Sequence, residues 1–82
     1  MKVYELYFTD SIESCVNEEL LCAGESAKEL LTIGKDILQE RGFQKAPYWR
    51  YLITTEGLYI DFGSWSKFLF LKNATIDEVM ST

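Results

Sequence analysis

Residues 26 to 42 constrain the fold of this chain more than any other stretch. Ser26-Ala27-Lys28-Glu29 has the form of a capping box, in which the Ser hydroxyl and the Glu carboxylate each satisfy a backbone N–H left without a partner at a helix start. Ala27, Leu30, Leu31, Gly34, Ile37, Leu38 and Arg41 then follow the helical period, and Gly42 stands where a left-handed C-cap is wanted. This predicts a helix over 27–41. Gly34 lies on its apolar face, where the missing side chain weakens the helix by about 1 kcal/mol against Ala but allows close approach to a sheet.

The flanking segments supply that sheet. Lys2 to Phe8 alternates, with Tyr4, Leu6 and Phe8 on one face and Val3, Glu5 and Tyr7 on the other, and Thr9-Asp10-Ser11 breaks it. After Pro47 the character is again β. Tyr48 to Thr55 and Leu58 to Phe62 flank a Glu56-Gly57 connection in which Gly57 is free to take positive φ, Gly63-Ser64 makes the next turn, and Trp65 to Lys72 is a third strand. In the tail, Thr75-Ile76-Asp77-Glu78 resembles the start of one short helical turn.

Residues Asp10 to Ala23 fit two templates. The helical set Ile12, Cys15, Val16, Glu19, Leu20, Ala23 has five apolar members of six, and the alternating set Ile12, Ser14, Val16, Glu18, Leu20, Cys22 has four. Asp10 with Glu13 as a helix start, Gly24 as a stop, and a Glu/Leu composition favour the helix, with a second hairpin strand as the alternative. The expected fold class is α+β: a small antiparallel sheet of about four strands with one or two helices packed on one face. The expected order is β-α-α-β-β-β, or β-β-α-β-β-β if 10–23 is a strand. The 82 residues leave room for a single domain, 1–82, without repeats or linkers.

A hydrophobic content of 48% with 15% aromatics fits a packed core and not a disordered acidic tail. No apolar run is long enough to span a bilayer, and Met1-Lys2-Val3-Tyr4-Glu5 lacks the apolar stretch of a signal peptide, so a cytoplasmic location is expected. Only Cys15 and Cys22 are present, against the several disulfides of a small secreted domain. On a helix they lie about 10 Å apart by rise alone, too far to bridge, which leaves two free thiols.

The residues that usually carry chemistry are missing or scattered. There is no histidine, which removes the commonest general base together with the commonest metal ligand. Nothing pairs Cys15, Cys22, Ser64 or Ser66 with a basic or acidic partner, and the two cysteines do not have a structural zinc spacing. Asp61-Phe62-Gly63 spells the metal-binding tripeptide of kinases without the length or catalytic loop of a kinase; it reads as a strand end followed by a turn. The glycines are too dispersed for a phosphate loop or a dinucleotide fingerprint. Glu18 and Glu19 would point about 100° apart on a helix and could not act as a dyad, and Asp10 and Glu13 lack the grammar of a calcium loop. The chain is expected to be no enzyme and to use no metal or cofactor.

Two surfaces stand out instead. Between Val3 and Ala27 lie six acids, Glu5, Asp10, Glu13, Glu18, Glu19 and Glu25, and no Lys or Arg. Residues 1–40 hold three bases against nine acids, and 41–74 hold five bases against two, so the net charge of −5 conceals a polarised chain. The patch of Asp10, Glu13, Glu18, Glu19 and Glu25 suits a basic partner, such as the nucleic-acid groove of another protein, where carboxylates stand in for phosphates. The second surface is aromatic: nine of the twelve aromatics lie between Phe43 and Phe70. Trp49, Arg50, Tyr51 and Trp65 form its candidate contact set, because Trp, Tyr and Arg dominate binding hot spots.

Three functions compete. The leading expectation is a non-enzymatic inhibitor or regulator that occupies a larger, basic, nucleic-acid-binding protein. The chain resembles in type, though by no motif, the small acidic counter-defence proteins of bacterial viruses that inhibit CRISPR effectors. No direct DNA binding and no membrane association are expected. The alternative is a single-stranded nucleic-acid or peptide binder in which Trp49, Tyr51 and Trp65 stack on ligand groups while Arg50, Lys45 and Lys67 meet phosphates. An enzyme working through carboxylates alone comes third. Homodimer formation through an edge strand or the aromatic face is compatible with all three.

Overall fold

A computed structural model describes residues 2–9, 18–43, 50–63 and 67–80. Its elements are β1 (Tyr4–Thr9), β2 (Glu19–Gly24), α1 (Ala27–Glu40), β3 (Arg50–Ile53), β4 (Gly57–Asp61), β5 (Phe68–Lys72) and α2 (Ile76–Met80). The strands form one antiparallel sheet in the order β2-β1-β5-β4-β3. The class is the expected α+β, with five strands where about four were expected. The β-β-α-β-β-β order is the one that holds, followed by α2.

The helix preferred over 10–23 is corrected at Glu19–Gly24, which is strand β2 paired with β1; the rest of that segment lies outside the described residues. The pairing explains why the alternating template fitted less well than the helical one. Leu6 faces Cys22 but Tyr7 faces Leu20, so Leu21 is an extra residue in a β-bulge. The bulge shifts the alternation by one, and both Leu21 and Cys22 pack against the core. Cys22 lies on a strand, so the two-turn helical spacing expected between it and Cys15 does not apply, and Cys15 lies outside the described residues. Cys22 itself is a free thiol, half-buried, with its Sγ 3.9 Å from the Leu30 carbonyl oxygen.

α1 has the Ser26 half of the expected capping box and the expected left-handed C-cap. The Ser26 hydroxyl accepts from the Glu29 N–H at 3.3 Å. At the other end Gly42 has φ 90°, the Phe43 N–H donates to the Leu38 carbonyl at 3.0 Å, and the Gly42 N–H donates to that of Gln39 at 3.2 Å. This is the Schellman arrangement, in which a left-handed residue turns two N–H groups back onto the last free carbonyls. α2 begins with the Thr75 N–H and hydroxyl both bound to Glu78 Oε1, at 2.8 and 3.0 Å.

Register assigns the faces. Tyr4, Leu6 and Phe8 of β1 share a face with Leu69 and Leu71 of β5 and with Leu58 and Ile60 of β4. Leu6, Leu58, Ile60, Leu69 and Leu71 are fully buried there beneath Leu30, Leu31 and Leu38 of α1 and Val79 of α2. Each such side chain contributes about 1.5–3 kcal/mol relative to exposure. Gly34 permits the approach expected of it, since a Cβ there would stand 2.6 Å from Leu6 Cδ2. The opposite face carries the aromatic row Tyr7, Phe70 and Tyr59, with centroids 6.5 and 4.6 Å apart. No described helix packs on it.

The β3–β4 turn is held by Thr54. Its hydroxyl accepts from the N–H groups of Glu56 and Gly57 and donates to the Gly57 carbonyl, which also receives the Thr54 N–H. Gly57 opens β4 so close to β5 that a Cβ would lie 2.3 Å from the Leu71 carbonyl oxygen. At the end of β4, Asp61 Oδ1 accepts from the Gly63 N–H at 3.0 Å and Gly63 has φ 94°, the strand end and turn expected there. Phe62 between them is buried in the core, where its ring lies 5.4 Å from that of Phe43. Among the described residues no helix is long and apolar enough to cross a membrane.

Candidate functional site

The acidic segment lies along a sheet edge. β2 is the outermost strand, with Glu18 and Glu19 at its start and Glu25 just beyond its end, all three exposed. Glu18 and Glu25 are seven residues apart, of which the bulge at Leu21 takes up one, leaving about six strand steps or about 20 Å. The carboxylates therefore form two poles flanking an apolar stretch. Asp10 and Glu13 lie outside the described residues.

The three described acids differ in their surroundings. Glu19 is opposite Phe8 in the β1–β2 register. Arg41, just past the end of α1, donates to both of its oxygens, with Nη1 2.9 Å from Oε1 and Nη2 on Oε2. The same guanidinium sits 5.3 Å over the Phe8 ring, and Phe8 in turn meets Phe43 at 5.8 Å. Arg41 thus clamps the helix end to the edge strand, and its hydrogen bond holds the Glu19 carboxyl below the ordinary carboxylate range. Glu19 is already neutralised within the molecule.

Glu18 and Glu25 have no ion pair among the described residues. Glu18 bears on the helix-free face. There the Tyr7 hydroxyl is pushed to a higher pKa by burial, by its 3.1 Å hydrogen bond to Glu5, and by the negative charges of Glu5 and Glu18. Glu5 itself lies beside Lys72, 3.9 Å away on the adjacent strand. Glu25 borders a shallow groove between the start of α1 and α2, lined also by Tyr4, Ser26, Lys28, Asp77 and Glu78. Lys28 is the cation in that lining, and Glu78 on its far side is paired with Lys2, whose Nζ lies 2.9 Å from Glu78 Oε1 and 5.3 Å over the Tyr4 ring.

The candidate aromatic set is divided. Arg50 is exposed and pairs with Asp61 in register on the helix-free face, whereas Tyr51 pairs with Ile60 on the helix face and packs partly against the core. One ligand strand lying on one face would touch only one of them. Trp49 and Trp65, and Lys45, lie outside the described residues. The aromatics that do adjoin on the helix-free face are Tyr7, Phe70 and Tyr59, and the last two are only 6% and 7% exposed.

Sequence reasoning missed the pairing of Arg41 with Glu19, for which no local signal exists because the two meet only when the end of α1 packs against β2. It also missed that the acids bracket a strand edge; the absence of Lys, Arg and Pro from Glu19–Gly24 was the available signal. Among the described residues no group of three or more Cys, Asp or Glu is arranged to hold a metal ion. No protein-family model, curated protein or solved structure matches the chain.

Proposed function

We propose that this chain is a non-enzymatic binding module that blocks a larger basic protein, of the nucleic-acid-binding kind, through the acidic segment around β2. The observation carrying this reading is that Glu18 and Glu25 are exposed at a sheet edge without a cation partner among the described residues, while neighbouring Glu19, Glu5 and Glu78 each lie beside an internal cation. Uncompensated charge at an exposed edge steers association and selects a partner of opposite sign. A cytoplasmic counter-defence inhibitor of bacterial viruses is the biological setting that fits such a module.

Charge reversal separates contact from architecture. Glu18→Lys with Glu25→Lys removes the free carboxylates and spares the Glu19–Arg41 clamp. Wild type and double variant serve as baits in a bacterial lysate, and the captured protein is then assayed for nucleic-acid binding with each bait added. The wild type should displace nucleic acid and the variant should not, at an unchanged melting temperature. Equal displacement by both would refute the reading.

A further inference from the structure

The outer side of β2 is a sheet edge with no described strand beside it. Only β1 pairs with β2 among the described residues, so the N–H and C=O groups on its other side have no described strand opposite them. Natural edges are protected by Lys, Pro, bulges, short length or a covering element. Glu19-Leu20-Leu21-Cys22-Ala23-Gly24 has no Lys or Pro, Leu20 is 52% exposed, and the bulge at Leu21 and the Glu19 charge, which Arg41 pairs, are the devices within the strand. The opposite edge, β3, is shorter and begins with Arg50.

Charge decides what can lie there. A second copy paired antiparallel through this edge would bring Glu18 of each chain toward Glu25 of the other, and a parallel copy would set like residues side by side. Like charges facing each other across strands are destabilising, so self-pairing is opposed in both directions. An extended segment with a basic residue at each end and apolar or β-branched residues between them meets an attractive partner at both poles.

We propose that the outer edge of β2 accepts such a basic-ended segment of a partner protein as a sixth strand. Main-chain hydrogen bonds hold the segment, as in other cases of strand addition, and Glu18 and Glu25, seven residues apart with one absorbed by the Leu21 bulge, select basic residues about six positions apart. This rests on the reading that the acidic segment contacts a basic protein, and it specifies how that contact is made.

The test uses the full chain, labelled with nitrogen-15, and the synthetic peptide Lys-Val-Thr-Val-Thr-Val-Lys with blocked ends. Two further peptides carry N-methyl groups on the Val residues or on the Thr residues. In an extended strand these two sets of N–H groups point to opposite edges, so only one methylated peptide can still pair. The parent should perturb amide signals along residues 18–25. One methylated peptide should bind comparably, and the other should bind about tenfold more weakly or worse, the cost of losing two or more main-chain hydrogen bonds. Glu18→Lys with Glu25→Lys should weaken the parent. Equal binding of all three peptides would overturn strand addition while leaving an acidic contact surface in place. So would signals moving at Arg50–Ile53 instead, a light-scattering dimer that protects β2, or no binding by any peptide. In those cases the lysate experiment decides separately whether the acidic segment contacts a protein.

Discussion

Gly57→Ala is the substitution whose effect the geometry fixes best. A Cβ at this position would stand 2.3 Å from the Leu71 carbonyl oxygen and 3.0 Å from the Lys72 Cα, on a backbone with φ 158°. Both obstacles are main chain of β5, so no side-chain rotation relieves them. An ordinary carbon–oxygen contact needs about 3.3 Å, and restoring it would move β4 from β5 by about 1 Å where Gly57 pairs with Lys72. Overpacking of this kind costs about 1–3 kcal/mol, and each ladder hydrogen bond lost adds roughly 0.5–1.5 kcal/mol. Reduced freedom of the unfolded chain returns about 0.4–1 kcal/mol. The net loss is about 2–3 kcal/mol, a fall in midpoint on the order of 10–20 °C for a domain of this size. Gly42→Ala is the control: its φ is 90° but, chain neighbours aside, no described atom lies within 4 Å of the new Cβ, so backbone strain alone applies, about 1 kcal/mol. Urea denaturation of the two variants measures the difference. A Gly57→Ala protein no less stable than Gly42→Ala would refute the close-approach argument.

Ser26→Ala should destabilise by about 1 kcal/mol, the usual value of an N-cap, when measured by the same denaturation. Glu19 and Glu78 both have carboxyls held low by a hydrogen-bonded cation, Arg41 and Lys2 respectively. Their contribution is therefore fully present above the ordinary carboxylate pKa and is lost as pH falls through the lowered folded values. Melting temperature should drop over that acidic window, and Glu19→Gln with Glu78→Gln should flatten the drop; an identical profile would remove these pairs as its cause. Burial raises the Cys22 thiol, so in a Cys15→Ser background Cys22 should react with a disulfide reagent at neutral pH more slowly in the folded chain than in urea. Equal rates after correction for denaturant would contradict its packing beneath α1.

The elements legible in the sequence were those whose signals are local. Ser26, Glu29 and Gly42 mark α1 because capping is decided within a few residues, and Thr75 with Glu78 marks α2 for the same reason. The β4 boundaries follow from Gly57, Asp61 and Gly63, each answering a turn at its own position. β2 was obscured because a bulge at Leu21 breaks the alternation on which strand recognition depends, and only the register with β1 reveals the break. The acidic segment was visible as composition, but composition cannot say which carboxylate is spoken for. Glu19 is tied down by Arg41 from the far end of the helix, and Glu18 next to it is not. Arg50 and Tyr51 are likewise neighbours in sequence and yet lie on opposite faces.

The central seam of the sheet bears on how the chain is made. β1 lies between β2 and β5, and its pairing with β5 joins Glu5 to Lys72 and Thr9 to Phe68. β1 and β2 are close enough in sequence to pair early, as are β3, β4 and β5, but the seam must close a loop spanning most of the chain. During synthesis the first strand therefore keeps one bare flank until residues 68–72 have left the ribosome, and Leu6 waits for Leu71 before it is enclosed. Whatever shields that flank in the interval, β5 is the strand that closes the core over Leu6.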